Sequence, residues 1–154
     1  MDRPEWLATT ALVSLGILAG IGATTQLGLN MLLARKLGHP NLSALVSFTV
    51  GALTLLAICL AMRLPWPSME TVRSIPFWYF AGGMAGALFV ATSIVLAPRL
   101  GATTTAGVII AGQIAATLLM DHFGWLGFNL HPMSVARVIG AILLVTGVAL
   151  VLKY

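Results

Sequence analysis

A long apolar stretch lies near the start of the chain, at Trp6–Ala34, and reads WLATTALVSLGILAGIGATTQLGLNMLLA. It contains no charged side chain. At a rise of 1.5 Å per residue, a helix over this stretch is about 44 Å long, whereas the hydrocarbon core of a bilayer is about 30 Å thick. We therefore predict a membrane-spanning helix that tilts, kinks or extends into the headgroup layer.

Four further apolar runs are each long enough to cross a bilayer. They are Leu42–Met62, Phe77–Ala97, Thr103–Met120 and Ser134–Leu152. The sequence therefore predicts an all-α integral membrane protein with five transmembrane helices, which form a single domain over residues 1–154. The longest connection, residues 63–76, contains three prolines and is predicted to be a polar loop.

The composition supports a lipid environment for the whole chain. Of its 154 residues, 59% are hydrophobic and 8% are charged, whereas soluble domains carry about 25% charged residues. A soluble fold of this size could not bury so much apolar surface. The basic residues are scattered between the apolar runs, so we expect the lipid bilayer rather than nucleic acid as a partner.

The chain contains an internal repeat. Ala34-Arg35-Lys36-Leu37-Gly38 recurs 63 residues later as Ala97-Pro98-Arg99-Leu100-Gly101, and Thr54-Leu55-Leu56 matches Thr117-Leu118-Leu119 at the same offset. Chance is the alternative, because Leu, Ala and Gly are abundant here. The shared register favours duplication, with helices 1–2 and 3–4 as repeated hairpins and a fifth helix added. Pro98 and Gly101 are predicted to close the third helix.

The basic residues do not select an orientation in the membrane. Five spans place Arg3, Arg63, Arg73 and Arg137 on one side and Arg35, Lys36, Arg99 and Lys153 on the other. The positive-inside rule requires an imbalance between the two sides. One interpretation is a fixed orientation with a weak signal. The other is dual insertion and an antiparallel homodimer, which would create the inverted repeat of many secondary transporters.

The sequence carries no signature of enzymatic chemistry. It lacks a Gly-rich phosphate loop, a Cys/His cluster with metal spacing and paired carboxylates in a plausible site. We therefore predict that the protein is not an enzyme and uses no cofactor or metal.

The informative polar side chains inside the predicted spans are three amides. Gln26 and Asn30 lie four residues apart on one face of helix 1, and Gln113 follows Gly112 in helix 4. An amide in lipid is costly unless it is hydrogen-bonded, so each should face protein or a wet cavity. They either join helices or form a substrate-binding site.

Asp121 ends the fourth predicted helix and is the acid nearest the membrane. One interpretation is an interfacial cap or an ion pair, for which Arg137 is a candidate partner. The other is a titrating group that gates access or couples transport.

A longer pattern resembles a known family. Its elements are Gln26, Asn30, Leu37-Gly38, Pro40, Ala44, Ser47-Phe48, Gly51, Pro76, Trp78-Tyr79, Gly82-Gly83, Gly86-Ala87, Pro98, Leu100-Gly101-Ala102, Gly112-Gln113 and Asp121-His122-Phe123-Gly124. This pattern resembles the five-helix YdcZ-like family of the drug/metabolite transporter superfamily. The resemblance implies a multi-pass protein of the bacterial inner (plasma) membrane, in which two five-helix units equal one ten-helix transporter. Related small multidrug exporters couple protons through a glutamate in helix 1, which this chain lacks.

These observations lead to two hypotheses. The first is a secondary transporter that exports a small organic metabolite or drug-like compound by alternating access, in an antiparallel homodimer. Gln26, Asn30 and Gln113 would bind the cargo, and neutral amides suit a polar neutral or zwitterionic ligand. A paralogue in place of the second copy remains open. The alternative is a non-transporting membrane subunit that assembles with or stabilises a larger complex.

Overall fold

The computed structural model describes residues 5–153, and helices make up most of this range. No strand is present in it. The helices, including two 3-10 turns, are α1 (Glu5–Leu37), α2 (Pro40–Ala61), α3 (Met69–Ser74), the 3-10 turn Phe77–Phe80, α4 (Ala81–Leu100), α5 (Ala102–Phe123), the 3-10 turn Trp125–Gly127 and α6 (Val135–Lys153). The predicted all-α class is confirmed.

Five helical segments are long and apolar enough to span a membrane. They are Trp6–Leu37, Pro40–Ala61, Phe77–Leu100, Ala102–Phe123 and Val135–Lys153, and each end lies within three residues of the predicted one. In the most apolar stretch of each span, at most 17% of the residues are buried within the chain. Helices that are apolar on all sides and so little buried need lipid or another protein chain around them.

Two details differ from the sequence prediction. Pro98 does not close the third span, because α4 continues through it to Leu100 and ends at Gly101. Proline removes only its own N–H from the helix ladder, and this loss is tolerated in the last turn of a membrane helix. The predicted polar loop contains the short helix α3, whose first turn is capped by Ser68 Oγ, which accepts a hydrogen bond from Thr71 N.

The chain divides into two compact units, the first of which extends to Val95. In it, a two-residue turn joins α1 to α2, which pack against each other. Gly38 has a φ of +78°, and its N–H donates to Ala34 O at 2.9 Å. His39 caps α2, because its Nδ1 accepts from Asn41 N at 3.1 Å. A methyl group at Gly86 would lie 3.6 Å from the ring of Phe48, so α4 approaches α2 at this glycine.

The second unit begins at Leu96 and contains the packed pair α5 and α6. The helices approach closely at Gly107, where a methyl group would lie 3.1 Å from Val148 Cγ2. Gly124, with a φ of +63°, ends α5 in the left-handed conformation and donates its N–H to Met120 O. That all five spans form one domain stays a prediction.

The turn between α4 and α5 repeats the turn between α1 and α2. Gly101 has a φ of +83°, and its N–H donates to Ala97 O at 3.0 Å, as Gly38 does to Ala34 O. Asn30 and Ser93 correspond in the 63-residue repeat and are 5% and 6% exposed. The conformation of the two glycines and the burial of this pair therefore follow the register of the sequence repeat.

Candidate functional site

The candidate site on α1 begins with the pair Gln26 and Asn30, which share one face of the helix. The exposure of the two residues differs sharply, because Gln26 is exposed and Asn30 is only 5% exposed. Asn30 lies in the second half of α1, close to the turn that brings α2 alongside. The early part of α1 has no such cover, since every described residue from Trp6 to Gln26 is exposed.

A buried hydrogen bond joins α1 to α2 at Asn30. Ser43 Oγ donates to the backbone oxygen of Asn30 at 2.7 Å, and Ser43 is fully buried. The tight turn at Gly38 and the cap by His39 place Ser43 in the first turns of α2, opposite α1. This bond uses the main chain of Asn30, so the Asn30 carboxamide is not needed for it.

The carboxamides of Gln26 and Asn30 make no hydrogen bond within residues 5–153. The polar atoms of Asn30 are not fully enclosed, because Thr105 Oγ1 is the buried side-chain polar atom that lacks a partner in the described chain. The Asn30 side chain is therefore a polar group that water, a ligand or another chain can stabilise by hydrogen bonding.

Gln113 lies in the second unit, in the middle of α5, and is exposed. Its neighbour Gly112 is also exposed, and a methyl group at Gly112 would meet nothing within 4 Å. The side of α5 that carries Gln113 is therefore open in the single chain. Whether Gln26, Asn30 and Gln113 contact a substrate stays a prediction.

Asp121 forms the ion pair with Arg137 that the sequence suggested as one alternative. Arg137 Nη1 donates to Asp121 Oδ2 at 3.3 Å and to His131 O at 3.4 Å, and the two charged side chains are 28% (Asp121) and 40% (Arg137) exposed. His131 N donates to Asp121 O at 2.9 Å, and Met133 N donates to His122 Nδ1 at 3.1 Å. These bonds hold the loop after α5 to the start of α6. The gating role of Asp121 stays a prediction.

Three hydroxyl residues outside the candidate amides are also buried. Ser43, Ser93 and Thr105 are buried polar residues in helices that are otherwise apolar. Ser93 Oγ donates to Phe89 O at 2.7 Å, whereas Thr105 Oγ1 is buried without a hydrogen-bond partner in the described chain. The repeat carried a signal for Ser93, because it pairs Ser93 with Asn30.

The second unit contains an open apolar cavity of about 470 Å³ between α5 and α6. Its walls include Ile114, Leu118, Val138 and Ala141, and Gln113 does not line it. Thr146 is its one hydroxyl-bearing wall residue, and Thr146 Oγ1 already donates to Ile142 O at 2.8 Å. The cavity therefore offers little for the recognition of a polar ligand, and the amides remain the candidate site.

The fold and these side chains describe a polytopic α-helical membrane protein with polar groups placed inside apolar spans. The family described as "Putative inner membrane exporter, YdcZ" matches residues 11–150. The inner membrane protein YdcZ of Escherichia coli (strain K12) is 31% identical over 137 residues, a region that covers 89% of this chain and 91% of that relative. No solved structure matches the chain.

The chain belongs to the YdcZ family. It is an inner membrane protein with five membrane-spanning helices. The exporter description of the family supports a role in transport rather than in enzymatic catalysis.

Proposed function

We propose that the protein is a secondary transporter that exports a small polar organic molecule by alternating access between two oppositely inserted copies. Gln26, Asn30 and Gln113 hydrogen-bond the cargo in the cavity between the copies. The cargo is neutral or zwitterionic, because the amides supply donors and acceptors but no countercharge.

The observation that carries this proposal is Asn30, a residue of a membrane span that is 5% exposed and whose carboxamide has no hydrogen-bond partner in the described chain. If Asn30 served only to join α1 to α2, its side chain would bond across that interface. The interface is instead closed by Ser43 and the Asn30 main chain. The unused carboxamide is therefore best explained by a partner outside the single chain.

A second copy supplies what the single chain lacks. Gln26 and Gln113 are exposed on helices that apolar side chains otherwise cover. Lipid tails cannot hydrogen-bond these amides, so a wet cavity or a protein partner is required. The balance of four basic residues on each side of the membrane permits insertion in both orientations.

Asp121 is suited to act as a gate because its ion pair is easily broken. Exposed ion pairs contribute about 0–1 kcal/mol, and both partners of the Asp121–Arg137 pair are partly exposed. Opening this pair would release the Arg137 side chain from Asp121, while two further hydrogen bonds would still hold the loop between α5 and α6.

The first experiment identifies a cargo. Purified protein is heated with amino acids, amides and polyols, and separately with quaternary ammonium and guanidinium compounds, and the unfolding temperature is recorded. A ligand that binds the folded state raises this temperature. We expect neutral or zwitterionic compounds to stabilise the protein. Stabilisation by the cations alone would contradict the proposed site.

The second experiment tests the amide. Uptake of the most stabilising compound into proteoliposomes is compared between the wild type and Asn30→Ala, with Asn129→Ala in the loop before α6 as the control. Asn30→Ala keeps the backbone oxygen that Ser43 binds, so dimer formation should persist while the apparent affinity falls about tenfold. Loss of dimer with unchanged transport per dimer would assign Asn30 to helix packing instead.

The third experiment separates a transporter from a non-transporting subunit. A reporter fused after α6 should give signal on both faces of the membrane, and cross-linking in native membranes should yield a self-dimer. One-sided signal together with cross-links to a different protein would support the subunit.

A further inference from the structure

The end of α1 near Gly38 presents an apolar stripe that leads into two cations. Leu29, Leu32, Leu33, Arg35 and Lys36 line an open cavity of about 720 Å³. Positions 29, 32, 33 and 36 are spaced three and four residues apart, so these side chains lie on one face of the helix. Three leucines therefore run along α1 towards an ammonium group, with a guanidinium beside it. We call this surface the Leu29–Lys36 stripe.

Most of this stripe is uncovered in the described chain, and only Leu33 is partly buried. Leu29 and Leu32 are 61% and 58% exposed. Arg35 and Lys36 are exposed, and within residues 5–153 neither forms an ion pair or a side-chain hydrogen bond. Both the apolar part and the charged part of the stripe are therefore free to contact a molecule from outside the chain.

Alternation of the five spans predicts that the acidic residues and the stripe lie on opposite sides of the membrane. The chain has four acidic residues, and alternation of the spans would place the described ones, Glu70 and Asp121, on the side of the membrane opposite the Gly38 turn. Within one copy, the same alternation predicts four basic residues and no acidic side chain on the side of the Gly38 turn: Arg35, Lys36, Arg99 and Lys153. That side therefore attracts anionic groups.

The length of α1 places the stripe at the right depth for a lipid. From Trp6 to Lys36 the helix rises about 45 Å, which is the thickness of a bilayer with its headgroups. With Trp6 at one interface, Arg35 and Lys36 reach the opposite headgroup layer. Leu29 lies about 10 Å deeper, among the acyl chains.

We propose that the Leu29–Lys36 stripe binds an anionic phospholipid. The phosphate lies between Arg35 and Lys36, and one acyl chain lies along Leu29, Leu32 and Leu33. A free phosphate would use the cations alone and leave the leucines uncovered, whereas a phospholipid satisfies both parts of the surface. This site does not depend on the transport cargo or on the amides.

The first test measures lipid-dependent stability of the purified full chain in detergent. Phosphatidylglycerol, phosphatidylcholine with the same acyl chains, and inorganic phosphate are titrated separately, and the midpoint of the rise in Tm is recorded. We expect phosphatidylglycerol to stabilise the protein most. The double variant Arg35→Gln/Lys36→Gln should bind it about 30-fold more weakly. The control Arg63→Gln/Arg73→Gln removes the same charge from the other side and should keep the wild-type midpoint.

Three results would overturn the proposal: equal stabilisation by phosphatidylcholine, a wild-type midpoint in the Arg35→Gln/Lys36→Gln variant, or the full effect from inorganic phosphate alone. A second measurement uses the wild type only and so does not depend on how the variants fold. Phosphatidylglycerol with a photoreactive acyl chain should label the peptide that contains Leu29–Leu33 more strongly than α6. Even labelling of the five spans would also refute the site.

Discussion

The turn that joins α1 to α2 and the turn that joins α4 to α5 share a glycine at positive φ but differ in length and in their side-chain bonds. Gly38 and Gly101 both have φ near +80° and donate to the carbonyl four residues earlier. After Gly38, His39 caps the next helix and Ser43 bonds across to α1. Gly101 has no side chain with which to cap α5.

The same difference continues one turn into the following helices. Ser43 and Thr105 are both fully buried hydroxyl residues near the start of α2 and α5. Ser43 Oγ has a partner on α1, whereas Thr105 Oγ1 has none in the described chain. The glycine that ends the preceding helix is therefore common to the two turns, while the polar contacts between helices differ. The following variants test this difference, beginning with the largest expected effect.

Gly107→Leu should destabilise the second unit by about 3 kcal/mol. Gly107 corresponds in the repeat to Ala44, which is buried in the first hairpin, but at Gly107 even a methyl group would lie 3.1 Å from Val148 Cγ2. Valine is stiff in a helix, so α6 has to move away. Thermal unfolding in detergent measures the loss. Gly112→Leu on the same helix should be tolerated, and Val148→Ala should partly rescue Gly107→Leu.

Gly38→Val and Gly101→Val should each cost about 2 kcal/mol, because a β-branched residue is strained at positive φ. Similar losses of unfolding free energy in the two variants would confirm that both glycines need a positive φ. The control is Gly82→Ala, where φ is helical and nothing lies within 4 Å of the added methyl group. A loss in only one of the two turns would contradict the common backbone.

Ser43→Ala should lower the unfolding free energy by about 1 kcal/mol, since it removes one hydrogen bond between helices. Thr105→Val should leave it unchanged or raise it, since it replaces an unpaired buried hydroxyl by a methyl group of the same shape. Both are measured by chemical unfolding in the same detergent. A clear loss in Thr105→Val would mean that its hydroxyl has a partner in the assembled protein.

Asp121→Asn should lower the unfolding free energy the least, by about 0.5 kcal/mol, because the ion pair with Arg137 is partly exposed. The effect should shrink in high salt, which screens exposed charges. Glu70→Gln is the control, because Glu70 forms no ion pair within residues 5–153. A loss of unfolding free energy above about 2 kcal/mol would show that the ion pair is less exposed in the assembled protein than in the single chain.

Much of the membrane architecture could be predicted from the sequence. The run from Trp6 and the four that follow it have the length and apolarity of membrane spans, and no soluble alternative could bury them. The pairing of Asp121 with Arg137 was one of two interpretations, and the structure confirms that the ion pair forms. Sequence separation alone pointed to it, because a short loop brings the end of α5 near the start of α6.

The exposure of the amides could not be predicted in the same way. Gln26 and Asn30 have the same chemistry and the same helix face, yet only Asn30 is buried. The difference arises because the turn at Gly38 folds α2 back over the end of α1 and leaves its beginning uncovered. The extension of α4 past Pro98 could not be predicted either. A proline in the sequence does not show whether the helix tolerates the loss of one backbone hydrogen bond.

The sequence by itself determined that the chain crosses the membrane five times, because a backbone in lipid has to bond to itself and a long apolar run can do so only as a helix. Tertiary structure decided which polar groups meet: Ser43 reaches the main chain of Asn30, while the Asn30 carboxamide and Thr105 Oγ1 have no partner in the described chain. A helix forms through hydrogen bonds between residues that are close in the chain. These contacts instead depend on how helices that are distant in the sequence pack against each other, to within a few ångströms.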